Sequence, residues 1–206
     1  MIVIIDYEMG NIGSIFNMVR KAGFNPVISS RTEEIVKASK LILPGVGPFD
    51  KGLEKLEKLN LIPLLTDRVI GARVPFLGIC LGMQVLFKKS VEGNRPGLGW
   101  IDGETIRFDF KNKSSAPKVP NMGWNEINTA KDSFLFPNTN EMQRFYFLHS
   151  YHVLCNQPAD ILAEAFHGYK FVAAVQRENI IGVQFHPEKS HKFGIAFFKN
   201  FLELDG

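Results

Sequence analysis

Val74-Pro75-Phe76-Leu77-Gly78-Ile79-Cys80-Leu81-Gly82-Met83-Gln84 is the stretch that decides the fold. Residues 74–79 form an apolar run of strand length, Gly78-x-Cys80-x-Gly82 supplies a turn, and residues 82–87 read as the start of a helix. A strand that turns tightly into a helix is the repeating unit of a parallel sheet covered by helices. Gly-x-Cys-x-Gly at such a turn also has the form of a nucleophile elbow, with sulfur in place of a hydroxyl. The flanking glycines let the backbone turn sharply and clear the space around the nucleophile. Amides at the following helix N-terminus favour a thiolate and face a developing negative charge. The competing reading of Cys80 is a small buried hydrophobe at a strand end, which is common for free cysteine.

Upstream the same unit recurs. Ile2–Ile5 is a buried-strand run followed by a turn through Gly10 and Gly13 and a helical stretch to Ala22, with Gly23 at its C-cap. Pro26–Ser29 reads as a second strand, and Ser30 with Glu33 has capping-box spacing for a short helix. Lys40–Leu43 is a third strand, ending at Pro44-Gly45-Val46-Gly47-Pro48 before a helix through Leu53, Leu56 and Leu59. After about Gly93 the texture changes, and 105–110, 144–148, Tyr151–Cys155, 171–176 and 180–185 read as strands of antiparallel or mixed sheet. Residues 191–204 place Phe193, Ala196, Phe197, Asn200 and Phe201 at helical spacing. The expectation is an α/β fold in one domain, 1–206, with a central, mostly parallel sheet flanked by helices and additional antiparallel strands in the second half.

Composition narrows the class. The 206 residues suffice for one well-buried α/β domain. Twenty-four Lys+Arg against 21 Asp+Glu leave +3, with no long run of like charge, so no nucleic-acid footprint is expected. Apolar residues make up 45% and the mean hydropathy is −0.01, which fits neither a disordered nor a membrane-embedded chain. Two cysteines make no disulfide framework, and the N-terminal residues lack the basic and apolar regions of a secretory signal, so a reducing cytoplasm is the expected location. Neither H-E-x-x-H nor C-x-x-C occurs, Gly45-x-Gly47 lacks the third glycine of a dinucleotide fingerprint, and no phosphate-binding loop motif is present. No metal and no cofactor are therefore expected.

A thiol nucleophile needs a base, and the base needs an orienting group. Phe185-His186-Pro187-Glu188 offers both, since His186 closes an apolar run and Glu188 can fold back across the fixed φ of Pro187 to hold the imidazole. The other histidines compete less well. His149 and His152 have no acidic residue within two positions, His167 lies in a turn-like segment, and His191 begins the last helix. Cys155 lacks flanking glycines and reads as a packed thiol. Pro44-Gly45-Val46-Gly47-Pro48 is either a strand-to-helix turn or a stiff loop whose backbone N–H groups form an oxyanion hole.

With these residues in hand, the chain resembles the class I (triad) glutamine amidotransferases, and more narrowly their HisH branch, the glutaminase subunits of imidazole glycerol phosphate synthase. The resemblance is carried from end to end by Asp6-Tyr7 with Met9-Gly10-Asn11, Leu43-Pro44-Gly45-Val46-Gly47, the Cys80 elbow, Gly97-Leu98-Gly99, Met122-Gly123-Trp124-Asn125, His149-Ser150-Tyr151 and residues 182–190. It implies a flavodoxin-like fold and hydrolysis of L-glutamine to glutamate and ammonia by Cys80, His186 and Glu188. By the same analogy, backbone N–H groups of Leu81 and, after a loop rearrangement, of Val46 or Gly47 meet the oxyanion. Gly47, Gln84, Ser150 and Tyr151 line the glutamine pocket. The resemblance further implies a heterodimer, because the chain has room to liberate ammonia but none for a domain that uses it. The branch's partner is a HisF-type (β/α)₈ cyclase, met near Asn121, Met122, Gly123 and Trp124. Glu8 and Asn121 depart from the family pattern, which usually has a small residue and a His at those positions. The alternative acceptor is a sugar amidotransferase of surface-polysaccharide synthesis, with which Gly99-Trp100-Ile101-Asp102 and Ser190-His191-Lys192-Phe193-Gly194 are compatible. A stand-alone cysteine hydrolase and a non-catalytic binding module are the remaining readings.

Overall fold

The computed structural model of the chain describes residues 1–111, 116–137 and 142–204. In chain order the strands are β1 (Ile2–Ile5), β2 (Pro26–Ser29), β3 (Lys40–Leu43), β4 (Phe76–Ile79), β5 (Gly103–Arg107), β6 (Asn121–Thr129), β7 (Arg144–His149), β8 (Tyr151–Cys155), β9 (Ile161–His167), β10 (Tyr169–Arg177) and β11 (Ile180–Val183). The helices are α1 (Ile12–Lys21), α2 (Thr32–Val36), α3 (Phe49–Lys58), α4 (Leu61–Thr66), α5 (Leu81–Gln84) and α6 (His191–Leu202).

The sheet runs β2-β1-β3-β4-β11-β10-β9-β6-β7, with the β5–β8 ribbon attached to β10. Its first five strands pair in parallel and the rest pair antiparallel. β1, β4 and β11 are buried throughout because helices cover both faces of the parallel half. Alternation along β1 divides its residues between the faces. Ile2 and Ile4 pack with α1 and the phenylalanines of α6, while Val3 and Ile5 pack with Leu53 and Leu56 of α3.

Several elements differ from the sequence reading. α5 stops at Gln84 instead of running to residue 87, because Leu98, Gly99 and Ile101 donate their amides to the carbonyls of Val85, Phe87 and Leu86. A returning loop thus takes the acceptors that a longer helix would use. The capping box does not form. Arg31 is the N-cap of α2, and the Ser29 hydroxyl accepts the Arg31 amide at 2.9 Å. β6 and β9 were not expected, nor was α4, which runs into a π turn at Asp67–Gly71. β6 carries Gly123 and three asparagines, which local propensity disfavours in strands, yet pairing with β7 and β9 holds it extended.

Candidate active site

Cys80 sits between β4 and α5 at φ 55° and ψ −107°. Such a conformation is costly for a residue with a side chain and persists only where the surroundings impose it. They do so through the two flanking glycines. A Cβ on Gly78 would lie 2.3 Å from the Gly82 carbonyl oxygen, and one on Gly82 would lie 2.1 Å from that of Leu43. The Cys80 amide donates to the Val183 carbonyl at 2.7 Å, which ties the elbow to the end of β11.

Three residues beyond β11, His186 is anchored by its amide to the Tyr146 carbonyl at 2.8 Å. Its Nδ1 lies 2.8 Å from Glu188 Oε1, with both side chains buried. That contact makes Nδ1 the donor and leaves Nε2 as the ring nitrogen available to the Cys80 sulfur, which together with Glu188 acts on the imidazole. Burial alone would depress the imidazolium, but Cys80 and Glu188 outweigh it and lift His186 to about 10. The arrangement therefore favours a charged imidazole beside the sulfur. Glu188 Oε2 is buried and has no hydrogen-bond partner among the described residues.

Cys80 opens into a cleft of about 270 Å³ walled by Val46, Gly47, Leu81, Gln84, Glu92, Pro120 and residues 148–151. Every residue expected at the substrate pocket and oxyanion site thus borders one cavity. The Leu81 amide faces the Gly45 carbonyl at 3.4 Å. Tyr7 fixes this loop from below, donating to the Pro44 carbonyl at 2.6 Å, and burial lifts its phenol well above the usual range so that it stays neutral. Gly47 has φ +123°, and its neighbour Val46 is exposed.

The competing histidines are engaged elsewhere. His149 Nδ1 lies 2.7 Å from the Tyr151 carbonyl, and its Nε2 lies 3.0 Å from Asn121 Nδ2. Burial pushes His149 down to about 3 and His152 down to about 4. His152 packs against Phe108 and contacts Tyr169, His167 faces the Lys118 carbonyl, and His191 stacks on Trp124. Burial pushes the Cys155 thiol up to about 11. Among the described residues no three His, Cys, Asp or Glu side chains group as a metal site.

Two features depart from the sequence reading. Asn121 was expected at a partner interface, but it turns inward, only 3% exposed, onto His149. Alternation along β6 leaves Met122 and Trp124 as the outward residues of that segment. Glu92 and Gln184 were not foreseen. Glu92 reaches the cleft from the loop after α5 and accepts the Phe49 amide at 2.9 Å, a placement with no local signal. Gln184 lies two residues before His186, where extended backbone would put both side chains on one face, and that spacing was the available signal.

Residues 3–204 match the family model described as glutamine amidotransferase class-I. The chain is 49% identical to a Pseudomonas aeruginosa protein named imidazole glycerol phosphate synthase subunit HisH 2, covering 99% of this chain and 100% of the relative. A Leptospira interrogans protein named imidazole glycerol phosphate synthase subunit HisH is 42% identical, again over 99% and 100%. A solved structure titled glutamine amidotransferase superposes with TM-score 0.73 at 16% identity, over 98% of this chain and 97% of the other, a likeness of fold.

Proposed function

Because the chain belongs to the class I glutamine amidotransferase family, we propose that residues 1–206 act as one glutaminase domain that hydrolyses L-glutamine to glutamate and ammonia. Cys80 is the nucleophile, His186 the general acid and base, and Glu188 the group that orients His186. The observation that carries this reading is the buried Cys80–His186–Glu188 set at a strained elbow that opens into a cleft.

Cys80 Sγ attacks the side-chain amide carbon, and His186 gives its proton to the departing nitrogen, so that ammonia leaves and a γ-glutamyl thioester remains. A water then loses its proton to His186 and attacks the thioester carbon. Glutamate departs, and the sulfur is regenerated with the imidazolium beside it. Among the described residues Glu92 is the one acidic side chain lining the cleft, and it suits the substrate's α-ammonium. Among the described residues no Lys or Arg lines the cleft, and neutral donors at Gly47, Ser150 and Tyr151 are the groups there to meet the α-carboxylate.

The Leu81 amide is the standing oxyanion donor, but the Gly45 carbonyl occupies its direction. Turning the Gly45–Val46 peptide over would withdraw that carbonyl and bring the Val46 N–H to the same side, because the two point oppositely across one peptide plane. The cleft as it stands holds one acceptor where a second donor is needed, which suits a glutaminase whose activity depends on a partner subunit. The named relatives are themselves subunits. We assign the partner as a HisF-type (β/α)₈ cyclase that consumes the ammonia in histidine biosynthesis and docks over Met122 and Trp124, in a cytoplasmic heterodimer. Among the described residues no helix is long and apolar enough to cross a membrane.

The test is ammonia release from glutamine by the chain alone, with the cyclase and its nucleotide ligand, and with a sugar amidotransferase. Stimulation by the cyclase only, abolished in Cys80→Ala and Cys80→Ser, is expected. Undiminished turnover in either variant overturns the nucleophile assignment, and stimulation only by the sugar enzyme overturns the partner.

A further inference from the structure

A chain of neutral polar groups whose polarity is fixed from one end leads from the cleft wall to the Cys80 sulfur. It begins at the Tyr151 carbonyl, which can only accept. Two donors approach that oxygen, His149 Nδ1 at 2.7 Å and Gln84 Nε2 at 3.2 Å. Gln84 must therefore present its NH₂ group to Tyr151. The second hydrogen of that group points to Gln184 Oε1 at 3.0 Å. With its oxygen so engaged, Gln184 has only its own NH₂ group to turn to the other side, and there Nε2 lies 3.5 Å from Cys80 Sγ. Gln184 is fully buried and Gln84 is 5% exposed, so water does not compete for the Gln84–Gln184 and Gln184–Cys80 contacts. An amide flip at any member would set two acceptors or two donors against each other.

We propose that Gln184 is a further catalytic residue, an N–H donor to the reactive sulfur, and that Gln84 and the Tyr151 carbonyl are positioning groups that keep this donor aimed at Cys80. The proposal rests on Cys80 being the nucleophile. His186 approaches the sulfur as an imidazole that shuttles its proton, whereas Gln184 supplies a donor that never titrates. It favours the thiolate over the thiol both before attack and when the thioester is hydrolysed and sulfur leaves. The ionisable groups around the sulfur among the described residues are Tyr7, His186 with Glu188 behind it, and, across the cleft, Glu92 and His149. Gln184 also connects the wall that receives substrate to the nucleophile, because Gln84 and Tyr151 border the cleft and Gln184 does not.

The experiment reads Cys80 directly, without glutamine or partner. The full chain is alkylated with iodoacetamide across pH, and modification of Cys80 and Cys155 is followed separately by peptide mass spectrometry. Wild type, Gln184→Met and Gln184→Glu are compared, each checked for folding by near-ultraviolet circular dichroism. In Gln184→Met, which keeps the volume and removes the donor, the midpoint of the Cys80 profile should move up by about one unit, so that alkylation on the acid side of that midpoint falls about tenfold. In Gln184→Glu, which sets a carboxylate against the sulfur, the fall should be at least as large, and this variant alone suffices if the methionine variant does not fold. Gln84→Met should give an intermediate fall, and adding it to Gln184→Met should change nothing further. Cys80 profiles that superpose on wild type in the folded Gln184 variants overturn the proposal. A wild-type Cys80 that reacts no faster than Cys155 overturns the nucleophile reading as well, and so separates the two failures.

Discussion

His149 should set a large part of the acid sensitivity of this fold. Burial holds its ring neutral, with a value near 3 against an ordinary 6.5, while Nδ1 donates to the Tyr151 carbonyl and Nε2 accepts from Asn121. A histidine whose native value is depressed binds a proton more readily when unfolded, so its neutral burial costs nothing above 6.5 and destabilises progressively below it. Lowering the pH to about 5 crosses roughly 1.5 units of that window and costs about 2 kcal/mol at ~1.4 kcal/mol per unit. His152, pushed down to about 4, has the same sign over the same interval. His186 has the opposite sign. Raised to about 10, it contributes stability that is fully present below 6.5 and lost as the pH rises toward 10, so it is flat between 6.5 and 5. The assay is urea unfolding of wild type and His149→Gln, followed by tryptophan fluorescence at about pH 7 and about pH 5. Wild type should lose about 2 kcal/mol more than the variant between these conditions. Equal losses would falsify the neutral, locked imidazole.

Glu188→Gln removes the carboxylate that aligns and charges His186, so kcat for ammonia release should fall about 10²-fold or more with KM little changed, as general acid–base effects run. An unaltered kcat refutes the orienting role. Gly82→Ala sets a methyl 2.1 Å from the Leu43 carbonyl oxygen and should cost about 3 kcal/mol, whereas Gly13→Ala, inside α1, meets nothing within 4 Å among the described residues and should gain about 0.5 kcal/mol. Equal melting temperatures for the two variants would contradict the close packing of the elbow. Trp124→Ala should weaken binding of the cyclase by about 2 kcal/mol, roughly thirtyfold, measured by calorimetric titration, and an unchanged affinity removes Trp124 from the docking face.

The division between what was legible and what was not follows the range of the interactions. The elbow was legible because its determinants are local. Gly78 and Gly82 stand two residues either side of Cys80, and a strand, a sharp turn and a helix leave periodic and glycine signals within eleven residues. The same holds for His186-Pro187-Glu188, whose partners are two positions apart. The parallel strands could be read because burial on both faces demands unbroken apolar runs. Strand β6 could not, since asparagines and a glycine say nothing of the two neighbours that hold them extended. Glu92 could not be found either, because it reaches the cleft through a loop whose path is set by contacts with α3.

From sequence alone, the chain determined the Cys80 elbow, the His186–Glu188 pairing and the parallel half of its sheet, because each is written in residues close together along the chain. Only the tertiary structure decided which way the buried amides face. The Tyr151 carbonyl and the Gln84, Gln184 and Cys80 side chains are separated by up to about a hundred residues along the chain. A hydrogen-bond polarity relayed among them exists only once folding has brought a fixed acceptor to one end and removed water from the rest.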